Sequence, residues 1–310
     1  MIKIFQTKEN RFIPVNEIEE NCWVNVSNPT ADELKELSAD LDIPLDFLTD
    51  SLDVDERSRI EAENNTILIV LRAPKYDKDK PDVPYTTLPI GIVITKGAIV
   101  TICSSDTGEV LDLYNSKLRN LSTENRSRFL LHLLHGAAFF YLKYLKEINR
   151  RTNEVETELQ KATKNEELIK LLNIEKSLEF FTTSLKSNEF MMERLPRIKA
   201  LELNDDDKEL LEDVVIDNKQ AIEMANIYSN ILSGMMDAFA SVISNNLNIV
   251  MKFLTSVTII LMLPTLIASI YGMNVTLPFQ RSPHAFFIAI GVSFALSSIG
   301  VLVFLKKRWF

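Results

Sequence analysis

The sequence has little basic charge relative to its acidic charge. Its 310 residues include 34 Lys and Arg against 43 Asp and Glu, which gives a formal net charge of -9. Nucleic-acid binding depends on clustered Lys and Arg that replace the counterions of the phosphates. We therefore expect no nucleic-acid partner, and cations are the more natural ligands of such a chain.

Cysteine and the short motifs of hydrolases are also scarce. The two cysteines, Cys22 and Cys103, lie far apart without CxxC spacing, so neither a disulfide framework nor a zinc site is indicated. We expect both to be reduced thiols in the cytosol. The sequence contains no P-loop, GxSxG or HExxH motif. Hydrolysis and ATP-driven pumping are not indicated, and we do not expect an enzyme.

Charge is missing from two long segments near the C-terminus. No Asp, Glu, Lys or Arg occurs between Lys252 and Arg281, or between Arg281 and Lys306. A helix needs about 20 apolar residues to cross about 30 Å of hydrocarbon. We predict transmembrane helices over 253–272 and 285–305. A buried helical hairpin in a soluble core is the alternative, although soluble helices usually carry a polar stripe.

The loop over 273–284 is short, so both ends of the chain lie on one side of the membrane. Three positive residues of the tail over 306–310 follow the second span, whereas the loop contains Arg281 alone. Positive residues favour the cytoplasm. The N-terminus has no apolar core of a signal peptide. We predict a multi-pass protein of the cell (inner) membrane with both termini in the cytoplasm.

The first span carries a semi-polar stripe at helical spacing. Small hydroxyl residues often pack between helices, so the stripe indicates either ordinary packing or one wall of a water-lined pore. A pore requires several copies around a closed symmetry axis. The stripe consists of Asn248, Met251, Thr255, Thr258, Met262, Thr265 and Ser269.

Pro264 lies inside the same span and removes one backbone hydrogen bond. Neighbouring helices and hydroxyl side chains often compensate for such a loss in membranes. We expect Thr258 and Thr265 to be close enough to help.

The first span ends in Tyr271-Gly272-Met273-Asn274, which resembles the YGMN signature of the CorA-type magnesium channel family. The preceding segment SGMMDAFASVISNNLNIVMKFLT and the C-terminal KKRW also resemble the family. The matching residues before the signature are Ser233, Gly234, Asp237, Ser244, Asn245, Asn248, Met251, Lys252, Leu254 and Thr255.

This resemblance implies a funnel-shaped homopentamer in the lipid bilayer, whose first spans line a pore for divalent cations. Gly272, Met273 and Asn274 would form a selectivity ring at the outer mouth. Backbone carbonyls and amide oxygens can hold Mg²⁺ through its waters, which the ion releases reluctantly. Met251 and Leu254 resemble a hydrophobic constriction, with plain helix packing as the alternative.

The family also has metal-sensing carboxylates between neighbouring subunits. By resemblance these are Asp50, before a turn in which Ser58 replaces the usual proline, and Asp213 on the long helix. A regulatory Mg²⁺ shared by two subunits would hold the cytosolic ring closed, and its loss would loosen the ring.

Two departures from the family pattern concern ion selection. Ser269 replaces a glycine that usually lies one turn before the signature, and the loop VTLPFQRSPH has no acidic residue. An acidic loop would concentrate cations at the mouth. The ion preference and the rate of entry are therefore open.

The rest of the chain is predicted as an α/β domain over 1–120 and a helical stalk over 121–252, giving an α+β membrane protein. Thr30 and Glu33 form a capping-box signal for one helix, IPLDFLTDSL predicts another, and two antiparallel helices precede a third that begins near Asp205 and enters the membrane. Strands are predicted from the runs CWVNV, TILIVL, LPIGIVI and AIVTI.

His132 and His135 have a spacing that suits a metal, but without a third ligand nearby a packing or surface role is favoured.

The function implied is passive uptake of hydrated Mg²⁺, with Co²⁺ and Ni²⁺ as further candidates, gated by internal Mg²⁺. Two alternatives remain open. One is a zinc transporter of the same architecture, related to the ZntB group. The other is a membrane-anchored metal sensor that does not conduct, which would be favoured if the stripe faced lipid or neighbouring helices.

Overall fold

A computed structural model describes residues 1–8, 11–63, 65–77, 83–105, 122–159, 166–279 and 283–307. These fall into two compact units, Met1–Ser233 and Gly234–Phe310. Arg281 and the last three residues of the tail, which contribute to the predicted orientation, lie outside the described residues.

The first unit contains a mixed sheet of seven strands in the order β2-β1-β3-β7-β6-β5-β4. Its neighbouring strands are antiparallel except for β3 and β7, which are parallel. The strands are β1 (Ile2–Lys8), β2 (Arg11–Val15), β3 (Cys22–Ser27), β4 (Arg59–Glu63), β5 (Thr66–Tyr76), β6 (Tyr85–Ile94) and β7 (Ala98–Cys103).

The four apolar runs that predicted strands are confirmed as parts of β3, β5, β6 and β7. These strands occupy the middle of the sheet and are mostly buried. The strands β1, β2 and β4, which lie towards the two edges, were not predicted. Edge strands alternate apolar and polar residues over short lengths, so their apolar signal is weaker.

Two short helices cover one face of the sheet. Helix α1 (Ala31–Leu41) begins with the predicted capping box: the Glu33 amide donates to Thr30 Oγ1 over 3.2 Å, and the Thr30 amide donates to the Glu33 carboxylate over 2.7 Å. Helix α2 (Leu45–Asp50) confirms the second prediction. Leu37 and Phe47 pack in one apolar core with Val100 and other sheet residues.

Two longer helices cover the other face, α3 (Arg126–Leu159) and α4 (Glu166–Met192). Phe129 packs on Trp23 of β3 with ring centroids 5.3 Å apart. The helices are antiparallel, because Lys170 at the start of α4 pairs with Glu158 at the end of α3 over 3.0 Å. Two 3₁₀ turns, Leu195–Arg197 and Lys199–Leu201, follow between α4 and the predicted third helix.

Helix α5 (Asp205–Tyr271) begins where the sequence predicted and runs for 67 residues. Asn204 caps it, accepting from the Asp207 amide over 2.8 Å. The boundary between the two units falls inside α5, after Ser233.

Helix α6 (Ala285–Lys306) completes the second unit. Both α5 and α6 contain stretches long and apolar enough to cross a membrane, and these stretches are 6% and 0% buried, respectively. A core hairpin of a soluble protein would be covered. Within one chain, the two apolar stretches are therefore not covered as that alternative requires.

Gly91 of β6 lies directly beneath the end of α2. A Cβ at this position would overlap the Oγ and Cβ of Ser51, which is fully buried. We predict that Gly91→Ala destabilises the protein by about 1–3 kcal/mol, the usual cost of overpacking. Thermal unfolding of the full chain in detergent measures this.

Gly97→Ala is the matched control, because nothing lies within 4 Å of the added Cβ. Ser51→Gly should restore much of the stability of Gly91→Ala. Equal unfolding temperatures for the two alanine variants would contradict the close approach of β6 and α2.

Candidate ion pathway and metal-sensing residues

The predicted stripe faces away from α6. Its members are all exposed along α5, whereas Ser256, Ile260, Leu263 and Ile267 are buried or partly buried. At 3.6 residues per turn the two sets lie roughly 180° apart around the helix. The exposed residues of the stripe are Asn248, Met251, Thr255, Thr258, Met262, Thr265 and Ser269; Leu254 is exposed beside them, and so are apolar residues such as Phe253, Leu261 and Leu266. The semi-polar face is therefore not used for packing inside one chain.

The opposite face of α5 packs on α6 near Pro264. Proline has no amide hydrogen, so the carbonyl of Ile260, four residues earlier, loses its helical donor. Ser297 of α6 donates its hydroxyl to this oxygen over a long 3.5 Å. The prediction that Thr258 and Thr265 would compensate is wrong, because their hydroxyls donate to the carbonyls of Leu254 and Leu261.

Gly272, Met273 and Asn274 lie directly after the last turn of α5 and are exposed. The Gly272 amide donates to the carbonyls of Ala268 and Ser269 over 3.0 and 3.2 Å. A Cβ on Gly272 would lie 3.3 Å from the Ala268 oxygen, so glycine permits this tight turn. The carbonyl end of a helix is a favourable place for a cation.

Tyr271 anchors the segment that follows this turn. Its hydroxyl donates to the carbonyl of Pro278 over 3.3 Å. The Gly-Met-Asn segment thus lies within a loop that is tied back to the end of α5.

Asp50 is the last residue of α2 and forms an ion pair within its own chain. Arg59 Nη2 lies 2.8 Å from Asp50 Oδ2, and Arg59 Nε lies 2.9 Å from Glu56 Oε1. Arg59 Nη1 also pairs with Glu61. Burial opposes the charge of Arg59, but the three carboxylates outweigh it, so the pKa of the guanidinium is raised.

The loop between Asp50 and β4 is fixed by Arg72 of β5. Its Nη1 donates to the carbonyls of Val54 and Glu56 over 3.0 and 2.7 Å, and its Nη2 donates to Thr87 Oγ1 over 3.0 Å. Arg72 therefore connects the loop to the sheet through neutral oxygen acceptors.

Ser58 gives a second attachment, to α4. Its amide donates to Ser187 Oγ over 3.0 Å and its hydroxyl donates to Asn188 Oδ1 over 2.6 Å. The proline expected at this position has no amide hydrogen to donate. The departure from the family pattern thus has a structural role here.

Asp213 is exposed on α5, beside Val214, which is fully buried. Among the described residues, no group of three or more His, Cys, Asp or Glu is arranged to hold a metal. Carboxylates and water suit Mg²⁺. Asp50 and Asp213 each have carboxylate oxygens, which suit Mg²⁺. A single carboxylate is not a complete set of ligands, so a site would need at least two carboxylates.

The family model of the CorA-like Mg²⁺ transporter protein matches residues 19–307. The chain belongs to this family. A curated relative, the cobalt/magnesium transport protein CorA of Methanocaldococcus jannaschii, is 30% identical over 292 residues, which are 93% of this chain and 90% of the relative. The family is one of transporters and not a class of enzymes.

Solved structures agree with this assignment. The complete structure of the CorA magnesium transporter from M. jannaschii matches with a TM-score of 0.85 and 28% identity, over 100% of this chain and 99% of that one. The cytoplasmic domain of ZntB from Vibrio parahaemolyticus matches with a TM-score of 0.60 and 14% identity, over 79% of this chain and 96% of that one. The ZntB likeness shows a shared fold alone.

His132 and His135 are engaged separately. His135 Nε2 lies 3.5 Å from Asp217 Oδ2. His132 is partly buried, and burial together with the charge of Arg128 lowers its pKa. The structure places His135 in a surface contact with a carboxylate and His132 as a packed side chain, consistent with the favoured interpretation.

Sequence reasoning missed four residues that shape these sites: Arg59, Arg72, Tyr271 and Ser297. Three of them act through partners far along the chain or on another element, so no local pattern signals their roles. Tyr271 was part of the recognised signature, and tyrosine is common where a span meets water. Its contact with Pro278 was not predictable from that preference.

We predict that Ser297→Ala lowers the stability of the membrane-spanning unit, because the Ile260 carbonyl then has no hydroxyl partner. Hydrogen bonds between spans contribute about 0.6 kcal/mol on average. Ser293→Ala is the matched control, since Ser293 donates within its own helix to Ala289 over 2.8 Å. Thermal unfolding in detergent should show a larger loss for Ser297→Ala. Equal losses would contradict a role for Ser297 at Pro264.

Proposed function

We propose that this CorA-family protein forms a homopentameric channel for passive uptake of hydrated Mg²⁺, gated by internal Mg²⁺. The observation that carries the proposal is the exposed semi-polar face of α5, which points away from the packed α6 face. The relative's name, cobalt/magnesium transport protein, supports Mg²⁺ and Co²⁺ as cargo. Ni²⁺ is a further candidate.

An assembly of several copies follows from the geometry of α5. The hydroxyls of Thr258 and Thr265 donate to carbonyls of their own helix, and their oxygens keep lone pairs that accept from water in a pore but find no donor in hydrocarbon. One helix cannot enclose a pore, so equivalent faces must meet around a closed axis. Large apolar side chains exposed on α4 and α5 of the first unit, including Phe180, Phe190 and Ile231, offer further surfaces for subunit contact.

The selectivity ring would consist of Gly272, Met273 and Asn274 from each copy. Helix ends bring carbonyl oxygens to this point, and Asn274 adds an amide oxygen. Such neutral acceptors bind the waters of Mg²⁺ without removing them. The ring thus selects by the size and hydration of the ion.

Below the ring, Met251 and Leu254 would form a hydrophobic constriction, with Asn248 as a polar ring on its inner side. An apolar collar of small radius loses its water and blocks a hydrated ion. All three side chains are exposed in one chain. They are therefore available for contacts around an axis.

Gating would depend on Asp50 and Asp213 from neighbouring subunits. Two carboxylates on a hydrated Mg²⁺ suit the chemistry of this ion, which usually keeps several waters. Asp213 lies on the same helix as the pore-lining stripe. A regulatory Mg²⁺ thus favours a closed arrangement, and its loss favours an open one.

The proposed location is the cell (inner) membrane with both termini in the cytoplasm. The domain over 1–120 and the stalk over 121–252 then lie inside, with spans over 253–272 and 285–305. The loop over 273–284 lies outside and the tail over 306–310 inside. Positive charge in the tail supports this orientation.

We predict that proteoliposomes containing the protein take up Mg²⁺ when an inward-driving potential is imposed. Asn274→Ala should reduce uptake to the level of liposomes without protein, because the ring loses its amide acceptors. A fluorescent Mg²⁺ indicator inside the vesicles measures uptake. Size-exclusion chromatography in detergent should show unchanged assembly.

Thr276→Ala is the control, since Thr276 is exposed in the same loop outside the signature. Normal Mg²⁺ uptake by Asn274→Ala would remove the ring from the proposal. Uptake of Zn²⁺ alone would favour a zinc transporter, and no uptake of either ion would favour a non-conducting sensor.

A further inference from the structure

Arg59 forms an ion pair with Asp50, the carboxylate that the proposed gate requires. Its guanidinium is a planar fork, and three different nitrogens contact Asp50, Glu56 and Glu61. Asp50 is therefore already paired with a positive charge from its own chain before any metal ion arrives.

The loop around Arg59 holds it in this position. Arg59 is the first residue of β4 and pairs in register with Val70 of β5. Arg72 and Ser58 fix the loop immediately before it, as described above. The guanidinium is thus positioned by strand pairing and by two independent attachments of the loop.

The ion pair is nevertheless open to exchange with solutes. The side chains of Arg59 and Asp50 are 33% and 43% exposed. When Arg59 separates from Asp50, its guanidinium still pairs with Glu56 and Glu61. The positive charge of Arg59 therefore keeps carboxylate partners. The ion pair between Arg59 and Asp50 can therefore break with a small change in free energy. This suits an arginine that competes with a cation for Asp50 better than one that stays bound to it.

We propose that Arg59 competes with the divalent cation for Asp50 and thereby sets the internal Mg²⁺ concentration at which the channel closes. This inference rests on the proposed sensor role of Asp50. With Mg²⁺ low, Arg59 stays paired with Asp50. With Mg²⁺ high, the ion takes Asp50 and Arg59 stays with Glu56 and Glu61.

Inside-out membrane patches test this competition, with Mg²⁺ applied to the cytosolic face of the full chain. Arg59→Gln should lower the half-inhibiting Mg²⁺ concentration by about two- to five-fold, which corresponds to a partly exposed ion pair. Arg57→Gln is the matched control. Arg57 is exposed on the same loop and pairs with no described carboxylate, so its loss should leave the concentration nearly unchanged.

Two further variants separate the inference from the sensor role. Asp50→Asn should raise the half-inhibiting concentration, and adding Arg59→Gln to it should cause no further shift. If Asp50→Asn weakens inhibition but Arg59→Gln behaves like Arg57→Gln or shifts the concentration upward, the competition is overturned while the sensor stands. If Asp50→Asn changes nothing, both the Asp50 sensor and the competition fail.

A second measurement does not depend on conduction. The rise in unfolding temperature with added Mg²⁺ in detergent should reach its midpoint at a lower concentration in Arg59→Gln than in Arg57→Gln. Arg59→Lys, which keeps the charge but not the fork, should lie between wild type and Arg59→Gln. Identical midpoints in all variants would overturn the inference.

Discussion

The two faces of α5 in the second unit have different surroundings, and the proposed pore depends on this difference. One face packs on α6, where Ser297 and Gly300 lie close to Ile260. The other face is uncovered and carries hydroxyl groups in a region with no charge. Its threonine hydroxyls donate within their own helix, and the remaining lone pairs of their oxygens find donors in water but not in hydrocarbon. In the proposed assembly, several copies around an axis would bring this face into contact with water, and the same arrangement would create a pore.

The proposed metal sensing depends on how the charges of the two aspartates are compensated within one chain. Asp50 has a cationic partner in Arg59, whereas Asp213 is exposed on a long helix. The hydrogen bonds of Arg72 and Ser58 keep the Asp50 loop in place. The proposed competition between Arg59 and a cation for Asp50 would therefore take place in a fixed geometry.

Local signals in the sequence predicted much of the fold. The capping box at Thr30 and the start of α5 near Asp205 are short-range features, and both are confirmed. The spans were predictable because a charge-free segment of that length has few other uses. The strands β1, β2 and β4 were missed because their alternating patterns are short and partly charged.

Contacts between distant residues were not predictable. Arg59 was one of two basic residues in an acidic segment, and its partner Asp50 lies nine positions away on a different element. Ser297 and Ile260 are 37 positions apart. The positions of the Gly-Met-Asn ring and of the two sensor aspartates remain predictions, because one chain does not contain the contacts between subunits that would define them.

Accessibility of single cysteines on α5 tests the central claim most directly. Thr265→Cys lies on the uncovered face and Ile267→Cys on the face towards α6, while the native Cys22 and Cys103 are buried. A positively charged thiol reagent should reduce Mg²⁺ flux through Thr265→Cys, and Mg²⁺ should slow the reaction, while Ile267→Cys should be unaffected. An inert Thr265→Cys, or equal reaction at both positions, would contradict a pore lined by this face.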